Sequence, residues 1–596
     1  MSASIDETLL DYYQRELGYL RQAGGEFAAS YPKIAHRLAL SEYECPDPHV
    51  ERLLECFAFL SAKLNRKLDD DYTQFSNALL EQLYPHAVRP LPVTAIARFT
   101  PDPAKGNLAE GYHIPRHTPL FATTGTGDTI YFRTTAAQTV WPLQISAAHL
   151  LDGEQAQALS GLPQARSALK LTLECLAPHQ WSALPVERLR IHLAGSAVTS
   201  AALYDLLSAH SIGSLSPEPL GFGADERLLP EEGGVDSAYS LLPEYFACPE
   251  KFLFFDLSLP DRAERANATT HLDVIIPFDR EPTHQISLQT GDIALGCVPV
   301  INLFPRTSEP LRPDGTRSEY LLLADAHRRH STEIHRVCQV RAGQTGKATV
   351  IPPYYSTGHG DAAEGLYWHG RRVPRQGNSS DKQSGGQAGS DILLTLTDSQ
   401  FDRADPSHDG SISLSAQLLC TNGSLAARLP AGCPLGFETP GPVAHVRLLR
   451  QPRRSSDAPL SGSSRWRLVS QLSLNHLSFS EGPQALAALR EMLALHNLGA
   501  DPAIQQQISG IQALDSERIT SHVGQDAWRG WRNGLQLTLT LNPDNFAGSS
   551  PVLFAGVLAH FFSRYASTNR FVRTVLRLHD REITPWQPQV GSLLAL

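Results

Sequence analysis

The feature that most constrains this 596-residue chain is an apolar stripe between residues 48 and 68. Val50, Leu53, Leu54, Phe57, Leu60, Leu64 and Leu68 recur mainly at steps of three and four, the spacing that lines up side chains along one side of an α-helix. Pro48 suits the first helical position, where its missing N–H would be unpaired, and Asp47 can accept from the first turn. A helix of about 21 residues spans roughly 30 Å. Burial of its large apolar groups is worth roughly 10–20 kcal/mol before entropy is subtracted. The stripe therefore has to be covered. Helices of this region can cover one another in a self-contained bundle, or the stripe can pack on helices of another chain. Periodicity alone leaves both open.

The flanks also read as helical. Ile5, Leu9, Tyr13, Leu17 and Leu20 carry the same spacing, and Asp69-Asp70-Asp71 reads as the start of a third helix with Tyr72, Phe75, Leu79 and Leu83, ended by Pro85. Residues 1–90 are thus expected to form a helical region for partner contacts. The candidate contact residues are Tyr13, Leu17, Leu53, Phe57, Leu60 and Leu64.

After Pro90-Leu91-Pro92 the period changes. Short runs bounded by Gly, Pro, Asp and Ser read as strands at 95–99, 130–133, 168–175, 188–193, 252–259 and 272–278. Alternation of Leu169, Leu171 and Leu173 implies one buried and one wetter face. Helices return at 483–498 and 551–566, around a strand at 535–541 and before another at 574–578. The expected class is α+β. Behind the helical region come a β-rich domain over 91–280 and a second over 281–480, then a small α/β domain over 481–596. Segments 376–391 and 451–464, rich in Gly, Ser, Gln, Pro and Arg, read as variable loops without structure of their own.

Composition narrows the function. Hydrophobic residues at 42% and charged residues at 19% belong to a globular chain. Lys plus Arg total 51 against 61 Asp plus Glu, a net charge of −10, and no long basic run appears, so nucleic acid is not an expected partner. The pairs Arg371-Arg372 and Arg453-Arg454 read as solvated loop charge. Eight scattered Cys, none in a Cys-x-x-Cys pair, suggest a reducing compartment and mostly buried thiols, Cys56 among them. The N-terminus lacks a signal-peptide pattern and no apolar run is long enough to span a bilayer, which points to a cytoplasmic chain.

Catalytic motifs are weak. Arg341 to Thr349 resembles a phosphate loop but leaves only two residues between Gly343 and Gly346, with Ala348 where Ser or Thr is needed. Gly125-Thr-Gly127 lacks the third glycine of a dinucleotide loop. His327, His330 and His335 lie around two arginines, which would oppose a metal cation, and read as surface histidines. Asp402, Asp405 and Asp409 do not fit a calcium loop. No enzyme activity, cofactor or metal is expected. A hydrolase on a β-rich scaffold would need a pocket with paired carboxylates.

Several blocks resemble one family. They include Tyr13 to Arg21, Tyr31 to Leu38, Asp47 to Glu55, Phe132-Arg133-Thr134, Trp141-Pro142-Leu143, Cys297 to Phe304, Cys420-Thr421-Asn422 and Phe561 to Tyr565, in order over nearly the whole chain. Together they are similar to TssF (VasA/ImpG), a baseplate subunit of the type VI secretion system. The resemblance implies a structural protein with a fold like the wedge proteins of contractile phage tail baseplates. It implies a pair of TssF chains on one TssG, with TssK and TssE, around the VgrG hub, where sheath assembly begins. It also implies a position at a baseplate docked on the inner membrane, with membrane contact only through the membrane complex. A baseplate protein of another phage-like contractile device is the alternative.

Overall fold

The computed structural model describes residues 2–35, 48–83, 85–125, 127–176, 180–230, 238–260, 265, 268, 270–282, 286–313, 317–344, 347–354, 365–375, 389–398, 413–453, 483–497, 501–522, 531–563, 570–579, 581–583 and 586–591. The chain divides into two compact units. One holds Met1–Val88 with Leu460–Ser473, and the other holds Arg89–Pro459 with Leu474–Leu596.

The described part of the first unit is helical. Helix α1 spans Ser2–Ser30, a single turn α2 spans Pro32–Ala35, and α3 spans Pro48–Leu83 over 36 residues. Pro48 opens α3 as the sequence predicts, while Asp47 lies outside the described residues. The expected break at Asp69-Asp70-Asp71 does not occur: the two predicted helices are one. Aspartate lowers helix propensity by only fractions of a kcal/mol per residue, and no Gly or Pro interrupts this stretch. At 1.5 Å per residue α3 is about 54 Å long. A 3-10 turn, Pro85–Ala87, follows it.

The second unit is β-rich. Strands Thr94–Pro101, Cys297–Ile301, Thr129–Thr134, Pro119–Thr123, Pro434–Phe437 and Val443–Leu448 close into a barrel in that order. Its interior is filled by Ala97, Phe99, Leu120, Ile130, Phe132, Val298, Val300 and Val446. The barrel draws strands from both sides of residue 280, so it is discontinuous in sequence. Gly296 makes one transition possible. It stands between strand Ile293–Leu295 of another sheet and the barrel strand at Cys297, with φ 69, where a Cβ would meet the Phe99 carbonyl.

Two further sheets sandwich a second core. One has the order Phe304–Thr307, Ser413–Thr421, Glu333–Gln344, Lys347–Ile351, and the other Tyr320–Leu322, Ser390–Thr397, Tyr367–Pro374. Ile334, Val340, Leu414 and Leu418 meet Leu322, Ile392, Leu394 and Leu396 between them. Ser390 and Asp391 are the first residues of a strand, not loop as expected, because Arg375 anchors them. Its Nε donates to Asp391 Oδ1 at 3.0 Å and its backbone N–H to Gly389 at 2.9 Å. Residues 376–388 and 454–482 lie outside the described set.

The largest core joins residues 143–295 to the C-terminal segment. Leu169, Leu171 and Leu173 are fully buried, with Lys170, Thr172 and Glu174 half-exposed between them, the alternation read from sequence. They share a core with helix Pro551–Ser563, buried along nearly its whole length, and with Leu537, Leu539 and Leu576. That helix connects strands Trp531–Leu541 and Phe571–Leu578, which pair in parallel, as a crossover helix allows. Buried thiols are Cys175, Cys248, Cys297 and Cys420, while Cys56 and Cys338 are exposed. Cys56 contradicts its apolar sequence context because its part of α3 faces away from α1.

Candidate partner interface

Helices α1 and α3 lie side by side and antiparallel. Glu16 accepts from Ser61 Oγ at 2.8 Å and from Asn65 Nδ2 at 2.9 Å, and Arg21 forms an ion pair with Glu51 at the other end. The Glu51 hydrogen bond favours the charged Arg21, and partial burial with Glu55 nearby pushes the Tyr13 hydroxyl above its ordinary range. Ala58 and Ala62 are fully buried on the same side as Ser61 and Asn65. Their small side chains let the helices approach closely.

The large apolar residues are elsewhere. At 100° per residue Leu53, Phe57, Leu60, Leu64 and Leu68 fall within an arc of about 80°, centred about 140° around the helix from the Ala58–Ala62 face. Leu53 is 69% exposed, Phe57 61%, Leu60 63% and Leu64 60%, and Leu68 is exposed as well. The self-contained bundle predicted as one option does not cover them: α1 covers the alanine face and leaves this seam in water. Steps of four, three and four from Leu53 to Leu64 are those of a coiled-coil seam. Soluble monomers rarely expose a contiguous apolar patch of more than a few hundred Å². On the side of the seam away from α1 stand Arg52, Lys63 and Lys67, all exposed.

Of the six candidates, Leu53, Phe57, Leu60 and Leu64 share this seam, while Tyr13 and Leu17 are half-buried on α1. Sequence reasoning did not select Leu68, nor the exposed Leu10, Tyr19, Tyr31, Ile34 and Phe59. Leu68 was within reach, because it continues the same spacing. The remaining five belong to no regular stripe.

The other motifs sit in ordinary structure. Gln344 pairs with Lys347 across two antiparallel strands where a phosphate loop would need a helix, and Thr345 and Gly346 lie outside the described residues. Gly125 and Gly127 fall between strands Pro119–Thr123 and Thr129–Thr134, with Thr126 outside the described residues. His327 and His330 are exposed, His330 lying 3.3 Å from Asp128, whereas His335 is buried. Residues 402–410 lie outside the described set. Arg371 is ion-paired with Glu319 at 2.7 Å and Arg453 with Glu250 at 2.8 Å. Among the described residues no three His, Cys, Asp or Glu side chains group as metal ligands. A cavity of about 70 Å³ between the barrel and the adjoining sheet, lined by Arg98, Gln138, Trp141, Gln144 and Arg190, has no carboxylate in its lining among the described residues.

Comparisons with known proteins agree in kind. The family model described as Type VI secretion system, TssF matches residues 5–593. Type VI secretion system component TssF1 of Pseudomonas aeruginosa is 34% identical over 99% of each chain. Among solved structures, a chain of the TssK-TssF-TssG baseplate subcomplex of a type VI secretion system superposes with a TM-score of 0.70 at 26% identity, covering 90% of this chain and 98% of its own. A chain of a type VI baseplate complex gives 0.60 at 25% identity, over 98% and 100%.

Proposed function

Since this chain belongs to the TssF family of the type VI secretion system, we propose that it is a wedge component of that system's baseplate and that the open seam of α3 is where neighbouring subunits grip it. The observation that carries this reading is the run Leu53, Phe57, Leu60 and Leu64, large, apolar and exposed on a 36-residue helix. Covering it with a partner helix recovers the burial energy that the isolated chain leaves unused. The similar solved chain comes from a complex with TssK and TssG, which supports both as partners here. TssE, the VgrG hub, the sheath base and a second copy of this chain complete the proposed assembly, with two copies to each TssG.

In this reading the protein works through shape and interface area, without catalysis, at a cytoplasmic baseplate docked on the inner membrane. Among the described residues no helix is long and apolar enough to cross a membrane. The segments 1–90, 91–280, 281–480 and 481–596 are proposed as the domains of the chain, although the barrel and the largest core each draw on several of them.

The test is a chain carrying Leu53→Asp and Phe57→Asp together, co-expressed with TssG. Both positions are exposed, so the β-rich unit keeps its fold, and TssG no longer co-purifies. Undiminished TssG recovery would count against the seam as the gripping surface.

A further inference from the structure

A second feature, in the other unit and independent of the helical seam, is a pair of arginines with no anion against them among the described residues. In the barrel strand Thr129–Thr134, Ile130, Phe132 and Thr134 are buried, so Tyr131 and Arg133 face outward. Tyr131 is engaged by the sandwich: its ring lies 4.8 Å from that of Phe304, and the Arg306 guanidinium stands 5.3 Å from its centre. The Arg133 side chain has no hydrogen-bond or ion-pair partner among the described residues, although its Nε is closed off from water.

Beside it runs a turn that carries a second cation. Pro119 pairs with Arg133 in the ladder, the His117 backbone N–H donates to Thr134 O at 2.9 Å, and Thr134 Oγ1 donates to Pro115 O at 2.9 Å. The turn is therefore fixed against the strand. Arg116 on this turn donates from one terminal nitrogen to Arg227 O at 3.1 Å, and its Nε is also buried without an acceptor. His117 has φ 68, one of two non-glycine residues in the left-handed region among the described residues. Burial, then Arg133 and Arg116, hold the His117 imidazole below its ordinary pKa, and burial with Arg116 lowers that of Arg133. The three groups thus act on one another, and among the described residues none has a carboxylate against it.

This is unexpected in a chain where 61 acidic residues outnumber 51 Lys and Arg. A partly buried, unpaired guanidinium is unfavourable, and its planar fork matches a carboxylate or phosphate group bidentately. We propose that Arg116, His117 and Arg133 form an oxyanion-binding site on the outer wall of the barrel, which takes a carboxylate or phosphate group supplied from outside this chain. Cys338 of the sandwich strand Glu333–Gln344 lies close enough to influence Arg133, so the site opens beside the sandwich. The source is either an acidic side chain of a neighbouring subunit or free phosphate.

The probe is inorganic phosphate on the purified full chain, compared with chloride at matched ionic strength by thermal unfolding. Phosphate at about 20 mM raises the melting temperature by roughly 1–3 °C. Arg133→Gln and Arg116→Gln each abolish that rise, and Arg133→Lys keeps only part of it. Arg116 is on a turn, so its variant answers the question even where Arg133→Gln fails to fold. No rise in the parent chain, or an equal rise in parent and both glutamine variants, overturns the site. Recovery of the partner subunits separates the sources. A several-fold loss with Arg116→Gln identifies a subunit carboxylate, and unchanged recovery identifies free phosphate. The Leu53→Asp, Phe57→Asp chain keeps the phosphate response, so failure of the seam and failure of this site are told apart.

Discussion

Asn302 and Asn422 hold each other across the junction of barrel and sandwich. Asn302 Nδ2 donates to Asn422 Oδ1 at 2.9 Å, while Asn302 Oδ1 accepts the Asn422 backbone N–H at 2.7 Å and Thr421 Oγ1 at 2.6 Å. Asn422 Nδ2 donates to Ser331 O at 2.8 Å and Thr129 O at 3.2 Å, and its Oδ1 also accepts the Tyr131 N–H at 3.0 Å. Both residues are buried. Asn302 follows a barrel strand and Asn422 a sandwich strand, so two folded layers are locked by amides whose donors and acceptors are satisfied.

Replacing Asn302 with Leu leaves the Asn422 N–H, the Thr421 hydroxyl and the Tyr131 carbonyl short of a partner. Each such group costs about 1–3 kcal/mol, so the expected loss is at least about 3 kcal/mol, read as a lower urea midpoint. Adding Asn422→Leu costs less than the sum of the two single changes. Strict additivity would show that the network is not cooperative.

Glu244 and Lys251 form a fully buried ion pair, in which the carboxylate also accepts the Leu228 and Leu229 N–H groups at 3.1 and 3.2 Å. Burial lowers the Lys251 pKa, against the pull of Glu244. Lys251→Met strands the carboxylate and should cost about 3–5 kcal/mol, whereas Lys251→Met with Glu244→Gln should cost less. Denaturant melts of both variants decide this, and equal losses would count against the pairing.

Stability should fall with acid. Burial pushes the His192 imidazole down to about 3 and that of His496 to about 4, against an unfolded value near 6.5. Below pH 6.5 the unfolded chain takes up protons at these two groups and the fold does not, so their contribution is complete above 6.5 and is lost toward pH 3–4. Asp205 opposes this. Burial raises it to about 7, so its contribution is present below 3.8 and lost as pH rises to 7, although Ser550 and the Val552 N–H hydrogen-bond its carboxylate. Two groups against one leave a net loss of about 1 kcal/mol per pH unit between 6.5 and 4. His192→Gln should remove most of that slope in melts across this range. An unchanged slope would assign it to other groups.

The two faces of α3 should respond oppositely. Ala58→Leu forces bulk into the closed α1–α3 contact and should cost about 1–3 kcal/mol. Leu64→Ala, on the exposed seam, should change the isolated chain by no more than about 0.5 kcal/mol while weakening subunit capture. Helical circular dichroism during melting reads the first effect and co-purification the second.

Much of the fold can be read along the chain, because periodicity is local. The step of three and four through Leu53, Phe57, Leu60 and Leu64 dictates a helix, and alternation through Leu169, Leu171 and Leu173 dictates a strand with one face inside. Pro48 marks where α3 begins. The same local rules misread the Asp69-Asp70-Asp71 run, because a modest loss of propensity does not end a helix without Gly or Pro.

Which residues are helical or extended, and which side of each is apolar, follows from local patterns along the chain. What covers those sides follows from long-range packing. Alanines at 58 and 62 gave α1 its closest approach and so left the larger stripe open. The barrel joined residues 94–101 to 297–301 and 434–448, and Asn302 found Asn422 across 120 positions. Long-range pairing depends on shape and on polar groups that must be satisfied at a distance, and neither leaves a period in the chain.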